Sequence, residues 1–326
     1  MPLTKLQFKP GINKETTSYS NEGGWFDMDK VRFRFGYPEK IGGWIKDSLN
    51  SFLGSARALH PWVTLDLDQY LGVGTAFKYY INQGGAFLDV TPIRTTTAAG
   101  AITFSATNGS SSIQVTEASH GAVENDFVTF SGAVSLGGTI TAAILNQEYQ
   151  IATIIDSNNY IVIARAVATV AEITIDGVYT PAFVLANASD TANGGTSVVG
   201  TYQINVGLNT TILGNGWGAG TWGRNSWGSA GQLSVLTDTL RVWSHDNFGE
   251  DLLMNVRDGG LYYWDASLSN PLERRAVVLS SLSNANTTPT VAKQVMVSDQ
   301  NRHIIAFGCD SQDLPGVQDP LLIRFS

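Results

Sequence analysis

One cysteine, Cys309, stands among 326 residues. An intrachain disulfide is therefore excluded, and no cysteine cluster can hold a metal. Charge is scarce as well: Asp, Glu, Lys and Arg make up 15% of the chain, low for a helix-rich cytosolic protein. No apolar run approaches the roughly 18 residues that a membrane helix needs. The opening MPLTKLQFKPG lacks the apolar stretch of a signal peptide, so the expectation is synthesis in a cytoplasm and no membrane span. Helix signatures are equally thin, with no long stretch of apolar residues at i, i+3, i+4 and i+7 between two caps. The four histidines (His60, His120, His245, His303) show neither HExxH spacing nor a neighbouring Cys, which leaves metal binding unsupported. There is no GxSxG, the elbow that presents a nucleophilic Ser in α/β-hydrolases. Asp66 and Asp68 lie close in sequence, but carboxylates at such a place belong to a turn or rim by default. No catalytic residue, metal ligand or cofactor is expected, and the chain is expected not to be an enzyme.

What is present points to β structure. A hydrophobic content of 43% excludes a disordered chain, and 34 Gly with abundant Thr, Val, Ile and Ser favour short strands joined by tight turns. The length allows a large core and two domains. Residues 56 to 92 read as four strands, Ala56–Leu59, Gln69–Gly74, Phe77–Ile81 and Ala86–Val90, with Gly74-Thr75 and Gln83-Gly84-Gly85 as turns. Residues 231 to 266 repeat the idea, with Asp258-Gly259-Gly260 leading into Leu261–Trp264. Residues 291 to 325 repeat it again, through Gln294–Val297, His303–Gly308 and Leu321–Phe325. Tyr70–Gly74 aligns with Ile304–Gly308, and Gly-Gly-Ala86–Asp89 aligns with Gly-Gly-Leu261–Asp265. Repeats of about 35 to 45 residues with four strands each are the signature of propeller blades. Three units are fewer than the roughly four to eight blades of a closed propeller. The apolar pattern Leu321–Phe325 also runs to the end, so the expectation is that these residues are the front part of a longer chain.

Charge and aromatics divide the sequence. Residues 95 to 200 carry eight acids and one base, Arg165, for a net −7, leaving −1 on the other 220 residues. None of the eight Trp falls there. Such a shift marks an inserted small β-sandwich or barrel, with strands at Ser112–Val115, Phe127–Ser131, Glu148–Ile155, Tyr160–Ile163 and Glu172–Ile175 and a hairpin turn at Asp156–Asn159. The predicted fold is all-β, a partial β-propeller-like body of four-stranded antiparallel blades with this insert. Residues 1–55 form an extended arm and first strands, 56–94 with 196–326 the blades, and 95–195 the acidic domain.

Two stretches stand out as candidate sites. Gly214–Ala219 matches the loose GxGxxG/A string, but the residues after it have no helical propensity to supply pyrophosphate-binding amides, so nucleotide binding is not expected. Within that run Trp217, Trp222 and Trp227 recur every five residues, each followed by Gly. They read as a belt of packed rings between blades or at a subunit interface, with a sugar-stacking platform as the alternative. The second stretch, Phe8–Trp44, packs six basic and five acidic residues into 37 positions. Its Lys30–Phe35 segment alternates charged and apolar residues with the two-residue period of a half-buried strand. It reads as an extended, partly β-paired arm making subunit or adaptor contacts, with Trp25 and Trp44 as buried anchors. Lys30, Arg32 and Arg34 on one strand face could touch phosphates, although pairing with Asp27 and Asp29 explains them without nucleic acid.

Several of these motifs carry a family likeness: Gly11-Ile12-Asn13, Glu22-Gly-Gly-Trp25, Asp29–Arg34, Pro38–Trp44, Val73-Gly74-Thr75, Leu88–Pro92 and the Gly-Trp-Gly run. Through them the chain resembles the tail nozzle and hub proteins of short-tailed bacteriophages, including packaged-DNA stabilisation proteins. The insert, with Ser119-His120-Gly121 and Asn125–Val128, looks like a small β module of phage structural proteins. The resemblance implies a virion protein built around a propeller-like body. It would form a homo-oligomer, a six-fold ring around the DNA exit channel, that retains the packaged genome and then releases it. It further implies a tail adaptor as partner, with a needle, plug, fibre or tailspike nearby, and only non-specific proximity to double-stranded DNA. The length departs from the family, whose members carry more blades. A near-neutral body and an acidic insert suit a channel that must not grip phosphates. The alternative is a carbohydrate-binding or glycan-cleaving propeller, or a receptor-binding module, with the Trp run as its platform.

Overall fold

The computed structural model describes residues 8–17, 19–43, 45, 48, 50–167, 182–207, 242–267, 275–298 and 300–326. Trp44, Trp217, Trp222, Trp227, the Gly214–Ala219 string and the strand expected at Glu172–Ile175 lie outside them. The chain divides into two compact units, Met1–Asp47 and Ser48–Ser326.

In the first unit, β1 (Val31–Arg34) and β2 (Tyr37–Lys40) pair as an antiparallel hairpin, with Arg32 opposite Glu39 and Arg34 opposite Tyr37. The two-residue turn places Phe35 and Gly36 at φ 50° and 82°, the pair of positive values that matches the twist of flanking strands.

Among the described residues the second unit is all-β apart from short helical turns. Its first sheet runs in the order β3 (Ala56–Val63), β4 (Gln69–Thr75), β5 (Tyr79–Gln83), β6 (Ala86–Asp89), antiparallel throughout. Gly84 and Gly85, at φ 59° and 84°, make the β5–β6 turn that side chains would resist. A seven-stranded antiparallel sheet comes next, built from β7 (Ile93–Thr96), β8 (Thr103–Ala106), β9 (Ser112–Thr116), β10 (Phe127–Ser131), β11 (Glu148–Asp156), β12 (Asn159–Ile163) and β13 (Val199–Gln203). The spatial order is β7-β13-β10-β11-β12-β9-β8, and a single helical turn, α1 (Ala142–Leu145), precedes β11. Register shifts along the β11–β12 pair mark a bend there, and Phe104 of β8 meets Phe130 of β10 edge-on at 5.0 Å. The curled sheet encloses its own core, including Ile102, Val115, Phe130, Ile151 and Val162, without closing into a barrel.

The chain then returns to four-stranded architecture with β14 (Trp243–Phe248), β15 (Asp251–Val256), β16 (Leu261–Trp264) and β17 (Val277–Val278). A third sheet, β18 (Gln294–Val297), β19 (Ile304–Phe307) and β20 (Ile323–Phe325), has three strands among the described residues. One expected correspondence fails. β6 is the fourth strand of its sheet, whereas β16 is the third of its own. A Gly-Gly pair marks a hairpin, not the rank of the strand after it.

Strand periodicity explains how these three sheets stack. Odd residues of β14 (Trp243, His245, Asn247) lie opposite Val256, Met254 and Leu252 of β15, on the face turned to the first sheet. There Trp62, Tyr70, Tyr79 and Ile81 meet Trp243, Met254 and Trp264 in one core. Leu253 and Leu261 occupy the opposite face and pack with Val295, Val297 and Ala306 of the third sheet. Each large apolar side chain buried in such a seam contributes about 1.5–3 kcal/mol. Close approach is part of the first seam: a Cβ on Gly74 would lie 2.5 Å from the Trp243 ring. The result is a partial propeller-like stack, with β3, β14 and β18 side by side along its inner margin.

Candidate assembly surface and charged junctions

The arm holds three of the sequence-predicted site residues. Trp25 forms a parallel bridge with Ile12 and accepts Asn13 N–H at its carbonyl at 2.9 Å. Its ring lies 5.6 Å from that of Phe8, and its indole Nε1 is buried without a hydrogen-bond partner among the described residues. It is half-buried within the arm. Arg32 donates from Nε to Glu39 Oε2 at 3.2 Å, its cross-strand partner, and Arg34 sits over the Phe35 ring at 5.6 Å. Both arginines are exposed, and the hairpin also leaves Phe35 and Tyr37 89% and 76% accessible. Isolated two-stranded hairpins are marginal in water, so this one lacks a core of its own.

A second cluster lies where the curled sheet meets the first and second sheets. Lys78, 4% exposed, donates to Asp89 Oδ2 at 2.8 Å and to Glu148 Oε1, and its ammonium also lies 4.6 Å from the Phe127 ring centre. Arg275 donates to Asp89 Oδ1 at 3.1 Å, and Gln203 Nε2 donates to Glu148 Oε2 at 2.6 Å. Burial works to raise the Asp89 pKa, but the Lys78 and Arg275 cations outweigh it and hold that carboxyl below its ordinary value. Two carboxylates and two cations thus neutralise one another, and every charge is committed to a neighbour. The arrangement is a lock between sheets.

A third group has the look of chemistry. Tyr202 donates to Glu117, Tyr160 and Tyr202 hydroxyls lie 2.6 Å apart, and Arg94 stacks 5.5 Å from the Tyr202 ring centre. Desolvation raises the pKa of Glu117 and of both phenols. Yet Tyr160 and Tyr202 are fully buried inside the curled sheet, which leaves no room for a substrate at either oxygen. The group satisfies buried polar atoms.

The histidines separate in the same way. His60 and His245, 185 positions apart in sequence, stack with ring centres 4.8 Å apart between β3 and β14. His60 Nε2 pairs with Asn247 Oδ1 at 2.6 Å and His245 Nδ1 with the Tyr79 hydroxyl at 2.9 Å. Burial and then the neighbouring His60 lower the His245 pKa to about 4. Among the described residues no three His, Cys, Asp or Glu come together as a metal site, and no helix is long and apolar enough to cross a membrane. Asp66 and Asp68 sit exposed around the β3–β4 turn. A cavity of about 610 Å³ opens between the outer parts of the second and third sheets, where Leu261, Leu279, Ile304, Ala306 and Arg324 are among its walls; no carboxylate, His or Cys lines it.

What the described surface offers instead is apolar area at the two ends of the stack. Leu59 and Val63 on β3 are 60% and 58% exposed, while Ile323 and Phe325 on β20 are 56% and 76% exposed. Periodicity alone could have marked these faces, since Leu59, Pro61 and Val63 alternate with the buried Trp62.

No protein-family model matches the chain, and no curated protein matches it. Among solved structures it is similar to the phage phi92 endosialidase, with a TM-score of 0.21 and 14% identity. That likeness covers 83% of this chain and 36% of the other, so the chain spans about a third of that protein's length.

Proposed function

We propose that this chain is a structural subunit of a short-tailed phage tail, of the nozzle or hub type. It assembles into a ring around the DNA exit channel, retains the packaged genome and releases it at infection. It works without catalysis or a cofactor. The observation that carries this reading is the arm. Most of the residues of the family likeness, from Gly11 through Glu22–Trp25 and Asp29–Arg34 to Pro38–Gly43, belong to one small unit that exposes its hairpin and buries almost nothing. A segment of that kind gains stability only against another surface. The charged groups of the other unit support the same reading, because Lys78, Asp89, Glu148 and Arg275 are spent on joining sheets. The arm is then a clasp for a neighbouring subunit or the tail adaptor, with Trp25 as an internal anchor. Light scattering behind size exclusion tests it. The intact chain is expected as a ring of about six copies, a count that rests on the family likeness, and deletion of residues 1–44 should abolish the ring. Rings of unchanged copy number after that deletion would overturn the clasp. A stable monomer that binds a glycan array would replace the whole reading with carbohydrate recognition.

A further inference from the structure

The loop between β3 and β4 holds two leucines in water on a strained backbone. Thr64 closes it. Its N–H donates to the Asp68 carbonyl at 3.0 Å, its hydroxyl accepts from Asp68 N–H at 3.2 Å, and its carbonyl accepts from Leu67 N–H at 3.0 Å. Leu67 is thereby kept at φ 68°, a left-handed backbone that bulky side chains rarely adopt and that Asn or Gly takes more easily. Leu65 and Leu67 are 88% and 78% exposed, whereas Thr64 is buried. A loop that only had to reverse the chain has no use for either leucine. Three carboxylates lie beside them. Asp66 and Asp68 alternate with the leucines, and Glu250, in the β14–β15 turn, accepts Leu65 N–H at its Oε1 at 3.3 Å. The Glu250 carbonyl also accepts from the Trp62 indole at 3.1 Å, which fixes that turn beside the loop. No ion pair among the described residues uses any of the three acids. Arg302 comes near Gly249 in the same turn, where an added Cβ would lie 3.5 Å from its Nη1, but it pairs with none of them.

The arm hairpin has the opposite character. Arg32, Arg34, Tyr37 and Glu39 share one of its faces, because Arg32 pairs with Glu39 and Arg34 with Tyr37 across the two strands. Phe35 extends that face at the turn, and Phe35 and Tyr37 are 89% and 76% exposed. Glu39 engages Arg32 at 3.2 Å, but Arg34 has no carboxylate partner among the described residues and rests over the Phe35 ring. From Lys30 to Lys40 the hairpin carries four bases and one acid, a net +3, against the −3 of Asp66, Asp68 and Glu250. Each surface is thus an exposed apolar pair beside unpaired charge, and the signs are opposite.

We infer that the β1–β2 hairpin of one copy docks on the β3–β4 loop of a second copy. Phe35 and Tyr37 cover Leu65 and Leu67, and Arg34 enters among Asp66, Asp68 and Glu250. This inference rests on the reading of the arm as a clasp and names the surface that the arm grips. The partner is a second copy because the apolar pair and the opposite charge that each surface lacks are both present in the same sequence. Complementary potentials of this kind select a partner and fix its register. The contact is heterologous: every copy offers one hairpin and one loop, and repetition about an axis closes a ring.

Two chains that each lack one half test it: a deletion of residues 1–44, and the double variant Leu65→Ser/Leu67→Asn. The loop variant should melt no lower than the parent, since both side chains are exposed and Asn suits the left-handed position. Leucines that stabilised the fold would give the reverse. At a concentration where the parent is fully assembled, each variant alone is expected as a monomer by light scattering. An equimolar mixture should give a one-to-one dimer and nothing larger, because one intact hairpin meets one intact loop. Rings from the loop variant, with none from the deletion, would overturn the inference and leave the clasp reading in place on some other surface. A mixture without the dimer, or a loop variant that melts well below the parent, would also count against the inference alone. A monomeric parent, or rings from the deletion, would overturn both. Should the deleted chain fail to fold, Phe35→Ser/Tyr37→Ser takes its place, with the same dimer expected and its absence counting against the contact.

Discussion

His245 illustrates how one side chain can set a pH dependence. Its ring is pressed between His60 and Tyr79 in the first seam, with Trp243 two residues earlier on the same face. Asp246 is the carboxylate that acts on it, and in the favourable direction, but desolvation and His60 prevail and its pKa falls to about 4. In the unfolded chain the same imidazole titrates near 6.5. Below that value the unfolded state binds the proton more readily than the folded one, so stability declines as pH drops from about 6.5 towards 4. The full effect is about 3 kcal/mol at most. Urea midpoints at pH 7 and pH 5 should therefore fall further in the parent than in His245→Gln, by the equivalent of about 2 kcal/mol. Equal losses in both proteins would show that the seam tolerates a charged His245.

Elements are joined by the Lys78 junction. The lysine lies between β4 and β5, Asp89 ends β6, Glu148 opens β11 and Arg275 precedes β17, so Lys78 binds both carboxylates and Arg275 joins the same pair from a fourth segment. Removing one partner of a buried ion group costs more than the group contributes, because the remaining charges stay buried. Lys78→Met should lower unfolding free energy by about 3 kcal/mol, and adding Glu148→Gln should recover part of it, roughly 1 kcal/mol. A single variant within about 0.5 kcal/mol of the parent would mean that Arg275 alone suffices. None of this was legible in the sequence, since the four residues span 198 positions and no local pattern links them. Strands were legible where turn chemistry and alternation agree: Gln294–Val297 and Phe127–Ser131 fall where the pattern puts them, and Asp156–Asn159 turns as expected. β13 was not, because a strand that joins the distant β7 and β10 is specified by its partners. The pairing of His60 with His245 is hidden for the same reason. Of the seven candidate site residues, only Trp25, Arg32 and Arg34 can be placed, all in the arm. Alternation marks Leu59 and Val63 as outward, but not that Val73 and Tyr80 on the same face are buried, since the Phe52 ring that packs beside Tyr80 comes from outside the sheet.

At the scale of the whole molecule, the second unit contains cores that share no residue. The curled sheet buries Phe104, Phe130, Ile151 and Tyr160 among themselves, whereas the stack is held by Trp62, Trp243, Trp264 and their neighbours and by Leu253, Val295 and Ala306. The chain enters the curled sheet through β7 and leaves through β13, and these two strands are paired, with Thr96 opposite Thr201 and Thr97 N–H bonded to the Gly200 carbonyl at 2.9 Å. Replacing residues 97–200 by a short turn therefore rejoins two strands that already lie side by side, at little loop-closure cost. Separate cores that meet at the Lys78 junction and the Phe77–Phe127 ring contact should melt separately. Calorimetry of the intact chain is expected to resolve two transitions, and the deletion variant should keep one of them near its original temperature and lose the other. Its net charge should also fall from −8 to −1, since the removed segment carries eight acids and one base, which ion-exchange elution reads directly. The Lys78→Met substitution, by opening the junction, should move the two transitions of the intact chain further apart. A single cooperative transition in the intact chain, or a deletion variant without a folded stack, would show instead that the acidic sheet is an integral layer of the propeller-like body.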